Sequence, residues 1–468
     1  MAQELTADYL IIGSGAMGMA FADTLITESD ATIIMVDRFA KPGGHWNVAY
    51  PFVTLHQPSK FYGVSSRELS QGLTDKVGMN KGLGDLASGQ DILRYYDNVM
   101  RHQFLPSGRV QYFPMCDYKG GGKFENKLSG EAFEVSYKKL VDCTYLKTTV
   151  PSTHKPNFEI GEGVNFIPLN DLPKIKQPAD MFNVIGGGKT GIDALLWLLE
   201  MGVQPGKIQW VVSRDAWLLD RKNTQPTPEF FTSTMGAQAA QFESIATAES
   251  AKDMFDKLEA SGYFVRIDKN TRPEMFHGAT ISQAELEALR QLKNIVRLGR
   301  VTHIGKDEMT LEKGTVPTTP GTVHIDCSAT ALRADLPPTL IFNGDVITPQ
   351  MVRSYQPIFS ASLIAHIEAT FPSDDDAKNN MCGVVPLPNA DLDYMKMTAA
   401  NMMNQYKWSQ HPEIRDWLLD NRLDGFSKMV AEVEKDDTEK RAILKRLRAN
   451  AMPAVMKLQN FIAEAEAN

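Results

Sequence analysis

The sequence predicts an α/β fold in which two copies of one strand–turn–helix–strand unit are followed by a helical C-terminal extension. Three observations support this prediction. A glycine-rich turn follows a short apolar run at residues 9–18 and again at residues 182–191, and from residue 386 onward apolar residues recur at helical spacing. With 468 residues, the chain is long enough to form two domains that each bury a core.

Residues 8–37 form the first unit. The apolar run Tyr9–Ile12 predicts a strand, Met17–Thr27 predicts a helix, and Thr32–Val36 predicts a second strand that ends at Asp37. The turn after the first strand has the pattern Gly-x-Gly-x-x-Gly and consists of Gly13, Ser14, Gly15, Ala16, Met17 and Gly18. Such a turn presents backbone N–H groups to a pyrophosphate, and the acid that ends the second strand accepts a hydrogen bond from a ribose hydroxyl. The unit therefore predicts a Rossmann-like dinucleotide site that binds FAD or NAD.

Residues 178–214 repeat this plan with a different ending. Strands are predicted at Phe182–Ile185 and Ile208–Val212, and the turn after the first of them consists of Gly186, Gly187, Gly188, Lys189, Thr190 and Gly191. Ser213 and Arg214 stand where the first unit has its acid. An acid at this place repels a 2′-phosphate, whereas a guanidinium pairs with it, so the second site is predicted to bind NADPH. The alternative for Arg214, and for Lys189 and Thr190, is simple solvation at the surface.

Composition and charge argue against several classes of protein. The net charge is −8, from 49 basic and 57 acidic residues, which disfavours a general nucleic-acid binder. No apolar run is long enough to span a membrane, and the N-terminus lacks the pattern of a secretory signal. The cysteines at 116, 143, 327 and 382 share no metal-ligand spacing and offer no redox pair beside the first glycine turn. We therefore expect a cytoplasmic protein with reduced thiols and no metal site.

Two regions lie outside the repeated units. The stretch from about 215 to 300 is predicted to be a largely helical insertion, with helices at Ala248–Ser261 and Ser282–Leu292 and an extended piece at Tyr263–Ile267. We expect this insertion to line the pocket for a small-molecule substrate. The C-terminal helices, of which Asp391–Tyr406 is one, are candidates for self-association into a homo-oligomer.

The segment after the first unit resembles the class B flavoprotein monooxygenases, the family of the flavin-containing monooxygenases. It carries a Gly-Gly-x-Trp element at residues 43–46, in the order and nearly the spacing of that family. Residues 141–145 and 324–331 resemble the two crossovers between the FAD and NADP domains, and the likeness covers residues 8 to about 370. The residues that the resemblance adds to the cofactor sites are Arg38, Gly43, Gly44, His45, Trp46, Thr144 and Ala329.

The resemblance implies a domain order and an activity. It implies an FAD domain from residues 1–150 and 325–385 and an NADP domain from residues 151–324, while the helical C-terminal extension at residues 386–468 lies outside the resemblance. It also implies an NADPH-dependent monooxygenase that forms a flavin hydroperoxide with molecular oxygen and oxygenates a soft nucleophile, nitrogen or sulfur, of a small molecule. His56 and Gln57 are the candidates for hydrogen bonding to the flavin ring, although a lone histidine is more often structural.

The chain also departs from the family pattern. It lacks the family's histidine before the second glycine turn, because residues 163–172 contain none, and it has no asparagine near Leu55–Ser59. These departures leave open a flavin reductase or oxidase that passes electrons to a quinone, an imine, oxygen or a partner protein. A third possibility is a flavoprotein in which the nucleotides are structural or sensory and the helical tail binds a partner.

Overall fold

The computed structural model describes residues 2–329 and 336–467. The strands are, in chain order, β1 Gln3–Ile12, β2 Ile33–Val36, β3 Gly63–Val64, β4 Arg67–Glu68, β5 Val110–Phe113, β6 Cys116–Gly120, β7 Lys123–Asn126, β8 Ala132–Asp142, β9 Glu159–Ile160, β10 Phe166–Pro168, β11 Met181–Ile185, β12 Ile208–Val211, β13 Ala216–Asp220, β14 Phe264–Val265, β15 Met275–Ile281, β16 Ile295–Val296, β17 Val301–Ile304, β18 Glu308–Leu311, β19 Gly314–Pro317, β20 Thr322–Asp326, β21 Phe342–Asn343 and β22 Val346–Ile347. The α-helices are α1 Ala16–Glu28, α2 Gly89–Val99, α3 Lys189–Glu200, α4 Phe231–Ala246, α5 Ala251–Ala260, α6 Gln283–Leu289, α7 Pro357–Thr370, α8 Asp375–Met381, α9 Asp391–Ser409, α10 Pro412–Asp420, α11 Phe426–Ala431 and α12 Thr438–Ala467.

The first sheet is built around the first predicted unit. Its order is β21-β22-β8-β1-β2-β5, and β7 joins β8 and β6. The strands β8, β1, β2 and β5 run parallel, with Leu10 of β1 opposite Ile34 of β2. Helix α1 packs against α7 on one face of this sheet, and the residues between them are fully buried. Strands 342–347 return to this sheet after the second unit.

The second sheet repeats this arrangement. Its order is β10-β20-β11-β12-β16, and every neighbouring pair is parallel. Strands β20, β11, β12 and β16 occupy the places that β8, β1, β2 and β5 occupy in the first sheet. In both sheets the glycine turn connects the central strand to a helix. The predicted α/β fold with two Rossmann-like units is therefore confirmed.

The insertion at 215–300 differs from the predicted largely helical segment. It contains α4, α5 and α6, but it also contains a three-stranded sheet of order β14-β13-β15. The extended piece expected at residues 263–267 forms only the short strand β14. Strands β13 and β15 pair in parallel across two intervening helices, and such long-range pairing leaves no periodic signal in a short apolar run.

The C-terminal helices share a core with the insertion. Helix α12 packs along α4 and α9, and the methionines Met395, Met397 and Met402 of α9 are buried beside Trp217 and Phe255. The methionine-rich segment is thus core packing, as methionine's adaptable shape suggests. Within residues 2–329 and 336–467, no helix is both long enough and apolar enough to cross a membrane.

Candidate functional site

The first glycine turn has the geometry of a phosphate cradle. Gly13 has a φ of +95°, and a Cβ on Gly18 would overlap the carbonyl oxygen of Gly13, so helix α1 can start this close to β1 only with glycine there. Gly15 is the N-cap of α1, no side chain caps the helix, and its first turn contains no acid. The first amides of α1, from Ala16 and Met17, are therefore available to an anion.

Asp37 lies beside this turn, at the end of β2. Its carboxylate is 4% exposed, and Oδ2 accepts hydrogen bonds from the backbone N–H of Ser14 at 2.6 Å and from the Ser14 hydroxyl at 2.7 Å. Oδ1 accepts from the N–H of Phe39 at 2.8 Å. These bonds hold the carboxylate in one orientation next to the cradle. Arg38 is exposed, and its guanidinium lies 5.0 Å from the centre of the Phe39 ring.

The Gly-Gly-x-Trp element lies directly on the cradle. The N–H of Gly43 donates to the carbonyl oxygen of Ser14 at 2.8 Å, and a Cβ on Gly44 would lie 2.9 Å from the Cα of Gly15. Backbone meets backbone here, and a larger residue than glycine at position 44 would push the two segments apart. The structure therefore brings the two predicted halves of the first cofactor site together.

Trp46 lies on the 3-10 turn Gly44–Val48, where it connects the two units. Its Nε1 donates to the hydroxyl of Tyr62 at 2.7 Å, and its ring packs against the apolar cores of both sheets. His45 stacks on the Trp46 ring with 5.2 Å between the ring centres. Trp46 is thus a packing residue between the units, and this role does not depend on any contact with a bound cofactor.

The second glycine turn reproduces the first. A Cβ on Gly191 would overlap the carbonyl oxygen of Gly186, just as one on Gly18 would overlap Gly13, and Trp210 Nε1 donates to that same Gly186 oxygen at 2.8 Å. Gly188 is the N-cap of α3, and no side chain caps this helix. A Cβ built on Gly188 meets nothing within 4 Å, so the space above the helix N-terminus is open.

Each glycine turn is supported by the same kind of crossover. Asp142 Oδ1 accepts from the N–H of Thr144 at 2.9 Å and from its hydroxyl at 2.6 Å. Asp326 Oδ1 accepts from the N–H and the hydroxyl of Ser328 at the same two distances. A Cβ on Gly13 would lie 3.2 Å from Thr144 Cγ2, so the first crossover packs against the first cradle.

The second crossover continues into Ala329, which is half-buried. The last two residues of the predicted segment, Thr330 and Ala331, lie outside the described residues. Cys327 of this crossover packs against the second cradle, because a Cβ on Gly186 would lie 3.2 Å from the Cβ of Cys327. All four cysteines are free thiols.

The start of α3 is in contact with the segment that follows the first unit. Lys189 pairs with Asp193, one turn further along the helix, and both side chains are nearly buried. Asp193 also accepts a hydrogen bond from the hydroxyl of Tyr50 at 2.5 Å. Lys189, predicted to contact phosphate or solvent, is therefore bound to a carboxylate, while Thr190 is half-buried in the same turn.

Arg214 lies at the end of β12 beside the second cradle. Its Nη2 donates to Oδ1 of Asn389 at 2.8 Å, and His277 Nε2 lies 3.1 Å from the same oxygen. Within the part of the chain that the structure describes, no carboxylate pairs with Arg214. Its neighbour Ser213 is exposed. A cation without an acidic partner at this place can pair with a phosphate.

His56 and Gln57 line a cavity next to these turns. The hydroxyl of Thr280 donates to the carbonyl oxygen of His56 at 2.8 Å and so holds this loop against β15. Burial, with the positive charges of Lys189 and Arg221 nearby, lowers the pKa of His56 well below its usual 6.5. His56 is therefore a neutral imidazole at pH 7, able to donate or accept a hydrogen bond. Gln57 Nε2 lies 3.4 Å from the carbonyl oxygen of Phe61.

The cavity has a volume of about 870 Å³. It is enclosed by the loop at 56–61, the insertion, the segment Met351–Pro357 that leads into α7, and the helices from α9 onward. Tyr355 lines it with a φ of +62°, and a Cβ on Gly278 would overlap the Tyr355 ring. A bulky residue in the left-handed region is uncommon and marks a site held by its surroundings.

Sequence reasoning missed Tyr355 and the part that the C-terminal helices play in the cavity. Both depend on contacts between distant parts of the chain, such as the one between Tyr355 and Gly278. The contact of Tyr50 with Asp193 of α3 also joins distant parts of the chain, and no local pattern indicates it.

Comparison with known proteins finds relatives in mycobacteria and similar solved structures. No protein-family model matches the chain. Uncharacterized proteins Rv2000 of Mycobacterium tuberculosis (strain ATCC 25618 / H37Rv) and Mb2023 of Mycobacterium bovis are each 44% identical over 422 residues, covering 90% of this chain and 78% of theirs.

The solved structures belong to the group that the sequence motifs resemble. The flavin-containing monooxygenase from Stenotrophomonas maltophilia is 13% identical, with 78% of this chain and 97% of that chain covered and a TM-score of 0.42. The cyclohexanone monooxygenase from Rhodococcus sp. Phi1 bound to NADP+ is 12% identical, with 81% and 89% covered and a TM-score of 0.46.

Proposed function

We propose an FAD- and NADPH-dependent oxidoreductase activity for this chain, which belongs to the protein family of Rv2000 from Mycobacterium tuberculosis. The observation that supports the proposal most strongly is the duplicated cradle. Two helices, α1 and α3, each begin at an uncapped glycine turn, and the segment that follows the first cradle lies against the first turn of the second helix. Two dinucleotides bound in this way lie in adjoining units, as electron transfer between them requires.

The first cradle fits FAD. The uncapped amides at Ala16 and Met17 would bind its pyrophosphate, and the Gly43–Gly44 backbone would contact the same group from the other side. The Asp37 carboxylate, already oriented by Ser14, has lone pairs left to accept from a ribose hydroxyl. A 2′-phosphate near Asp37 would be repelled, so this cradle suits FAD rather than NADPH.

The second cradle fits NADPH. The open space above Gly188 would accommodate the pyrophosphate, and the guanidinium of Arg214, which lacks a carboxylate partner among the described residues, would pair with the 2′-phosphate. Lys189 is tied to Asp193 and so contributes to the shape of the helix turn rather than a free charge.

Bound FAD would supply the redox chemistry, taking a hydride from NADPH and passing the electrons on. The protein binds and orients the reactants and keeps water out of the cavity. His56 stays neutral and can hydrogen-bond a ring nitrogen or carbonyl, and the Gln57 amide can do the same. Helix α7 starts with Pro357 and no side chain caps it, so its N-terminal amides can stabilise negative charge nearby.

Within this activity we propose monooxygenation of a soft nucleophile, a nitrogen or a sulfur atom. One oxygen atom of O₂ is transferred to the substrate, the other leaves as water, and NADPH with one proton supplies the two electrons. The mainly apolar, half-open cavity of about 870 Å³ beside His56 supports a small organic substrate.

The test begins with the purified protein. We expect a yellow preparation that releases FAD on denaturation and loses its colour rapidly when mixed anaerobically with NADPH. Labelled oxygen gas is then admitted together with a tertiary amine or a thioether. Label in the N-oxide or sulfoxide, in proportion to the NADPH consumed, is the expected result.

A different outcome would select the reductase or oxidase alternative, which the absent histidine and asparagine favour. In that case all the NADPH consumed appears as hydrogen peroxide or reduced acceptor, and no product carries the label. A colourless protein that neither binds FAD nor oxidises NADPH would overturn the proposed activity altogether.

A further inference from the structure

We infer that the large cavity binds an amphipathic anion, with its apolar body in the interior and its anionic group at Arg415 and Arg448. Taken as the substrate class of the enzyme, this inference rests on the proposed function. Binding itself does not depend on any redox activity and can be measured separately.

The interior of the cavity is mainly apolar. Side chains from four regions of the chain meet there, and the apolar ones include Phe61, Met235, Phe242, Met397, Met402 and Phe426. The volume of about 870 Å³ lies at the upper end of the range for pockets that enclose a small organic molecule. An apolar body of this size would gain from burial in proportion to the area that it removes from water.

The charged groups that line the cavity all have one sign. They are Arg353, Arg415 and Arg448, and none of the described residues that line it is Asp, Glu or Lys. This contrasts with the chain as a whole, whose net charge is −8. A cavity lined by cationic groups and by no carboxylate attracts anions.

Two of these arginines are free to bind a ligand. Arg353 is not, because it pairs with the buried Asp424 and its guanidinium lies 3.9 Å from the centre of the Phe359 ring. Arg415 of α10 and Arg448 of α12 are exposed, and within the described residues neither guanidinium has a hydrogen-bond or ion-pair partner. Exposed and unpaired, they form a cationic rim to an apolar chamber.

The same cavity also contains the two residues that are predicted to contact the flavin ring. His56 and Gln57 line it, so an apolar body held by the interior occupies the space next to these side chains. A ligand anchored by its anionic group at Arg415 and Arg448 would present its apolar part to them. A carboxylate is the simplest group for this anchor, because it matches the guanidinium fork.

NADPH is a second possible source of anionic groups, since His277 lines the cavity and shares Asn389 with Arg214. The arms of the experiment have to separate an amphipathic carboxylate from the adenosine phosphates of NADPH. Adenosine 2′,5′-bisphosphate represents the second source without any apolar body.

The experiment measures binding of decanoate and of decanol, its neutral counterpart, to the full-length protein as purified, by isothermal titration calorimetry. We expect decanoate to bind more tightly than decanol, and its affinity to fall with added salt while that of decanol does not. In the double variant Arg415→Ala/Arg448→Ala, decanoate should bind about tenfold more weakly, with decanol unchanged. Arg441→Ala, an exposed arginine of α12 that does not line the cavity, should leave both affinities unchanged.

Three results would overturn the inference. They are equal affinity for decanoate and decanol at low salt, full decanoate affinity in the double variant, and competition between adenosine 2′,5′-bisphosphate and decanoate for one site. The salt series on the wild-type protein keeps the test valid if the double variant does not fold. Decanoate binding without NADPH oxidation would overturn the proposed function alone, and NADPH oxidation without decanoate binding would overturn this inference alone.

Discussion

The hydroxyl of Tyr50 donates a hydrogen bond to Oδ2 of Asp193 at 2.5 Å, and this bond joins the segment that follows the first unit to helix α3 of the second unit. Tyr50 belongs to the segment after the Gly-Gly-x-Trp element, and Asp193 lies one turn into α3. Two residues further on, Phe52 stacks on Trp197 of the same helix with 4.9 Å between ring centres. Burial raises the pKa of Tyr50 well above its usual value, so the tyrosine remains a donor at every physiological pH.

Replacing this donor should weaken the junction between the units. In Tyr50→Phe, Asp193 loses a hydrogen bond to its charged carboxylate, so we expect the free energy of unfolding to fall by about 2 kcal/mol. Urea denaturation followed by tryptophan fluorescence measures this change. Tyr406→Phe, at a position where the side chain is 52% exposed, is the control and should change stability by less than about 0.5 kcal/mol. Equal stability of both variants would contradict the assigned role.

A substitution at Gly188 tests the second cradle without disturbing the fold. A methyl group there meets no protein atom within 4 Å, so Gly188→Ala should fold normally, yet the methyl would occupy space that the pyrophosphate needs. We expect the KM for NADPH to rise about tenfold while the FAD content stays constant. Gly206→Ala, which also meets no neighbour, lies outside the cradle and serves as the control. An unchanged KM in Gly188→Ala would place NADPH elsewhere.

Arg214 should decide between the two nicotinamide cofactors. Because its guanidinium would pair with the 2′-phosphate, Arg214→Ala should raise the KM for NADPH about tenfold and leave that for NADH nearly unchanged. Steady-state oxidation of both cofactors, monitored at the nicotinamide absorbance, gives the ratio. Arg300→Ala removes an exposed arginine away from the cradle and should affect neither. A parallel rise for both cofactors would show that Arg214 supports the fold and not the phosphate.

His56 gives a prediction about pH. Its pKa is lowered from 6.5 in the folded protein, so below about pH 6.5 the unfolded chain binds the proton more readily and stability falls as the pH drops. In His56→Gln this loss between about pH 6.5 and pH 5 should be smaller by about 1 kcal/mol. Denaturant titrations at several pH values measure the difference.

The same variant tests the proposed role of the neutral imidazole. Since His56 does not change charge between about pH 6 and pH 8, His56→Gln should change the rate of NADPH oxidation without changing the shape of its pH profile in that range. Loss of a titration near pH 6.5 from the profile would mean that His56 carries a proton in the working enzyme.

Local pattern predicted the two strand–turn–helix–strand units well. Predicted strand Ile208–Val212 differs by one residue from β12, and predicted helix Met17–Thr27 lies within α1, because glycine turns and apolar runs are strong short-range signals. The residue-level site assignments stay predictions until ligand binding is measured. Lys189, predicted to contact phosphate or solvent, instead pairs with the carboxylate of Asp193, four residues further along the same helix.

The cavity could not be predicted, because its wall is assembled from distant parts of the chain. His56 and Arg448 line the same space although nearly the whole chain separates them in sequence. The pairing of β13 with β15 and the strained backbone of Tyr355 also could not be predicted from the sequence. Each depends on tertiary contacts that override local preference.

The paired crossovers suggest a way to change one proposed nucleotide site without changing the other. Cys143 lies under the first glycine turn and Cys327 under the second, each within 4 Å of the Cβ position of its glycine. A larger side chain at either cysteine would displace the glycine turn that it contacts, while the other glycine turn would keep its conformation. The repeated architecture therefore gives this chain two independent points at which the two proposed cofactor sites could be tuned.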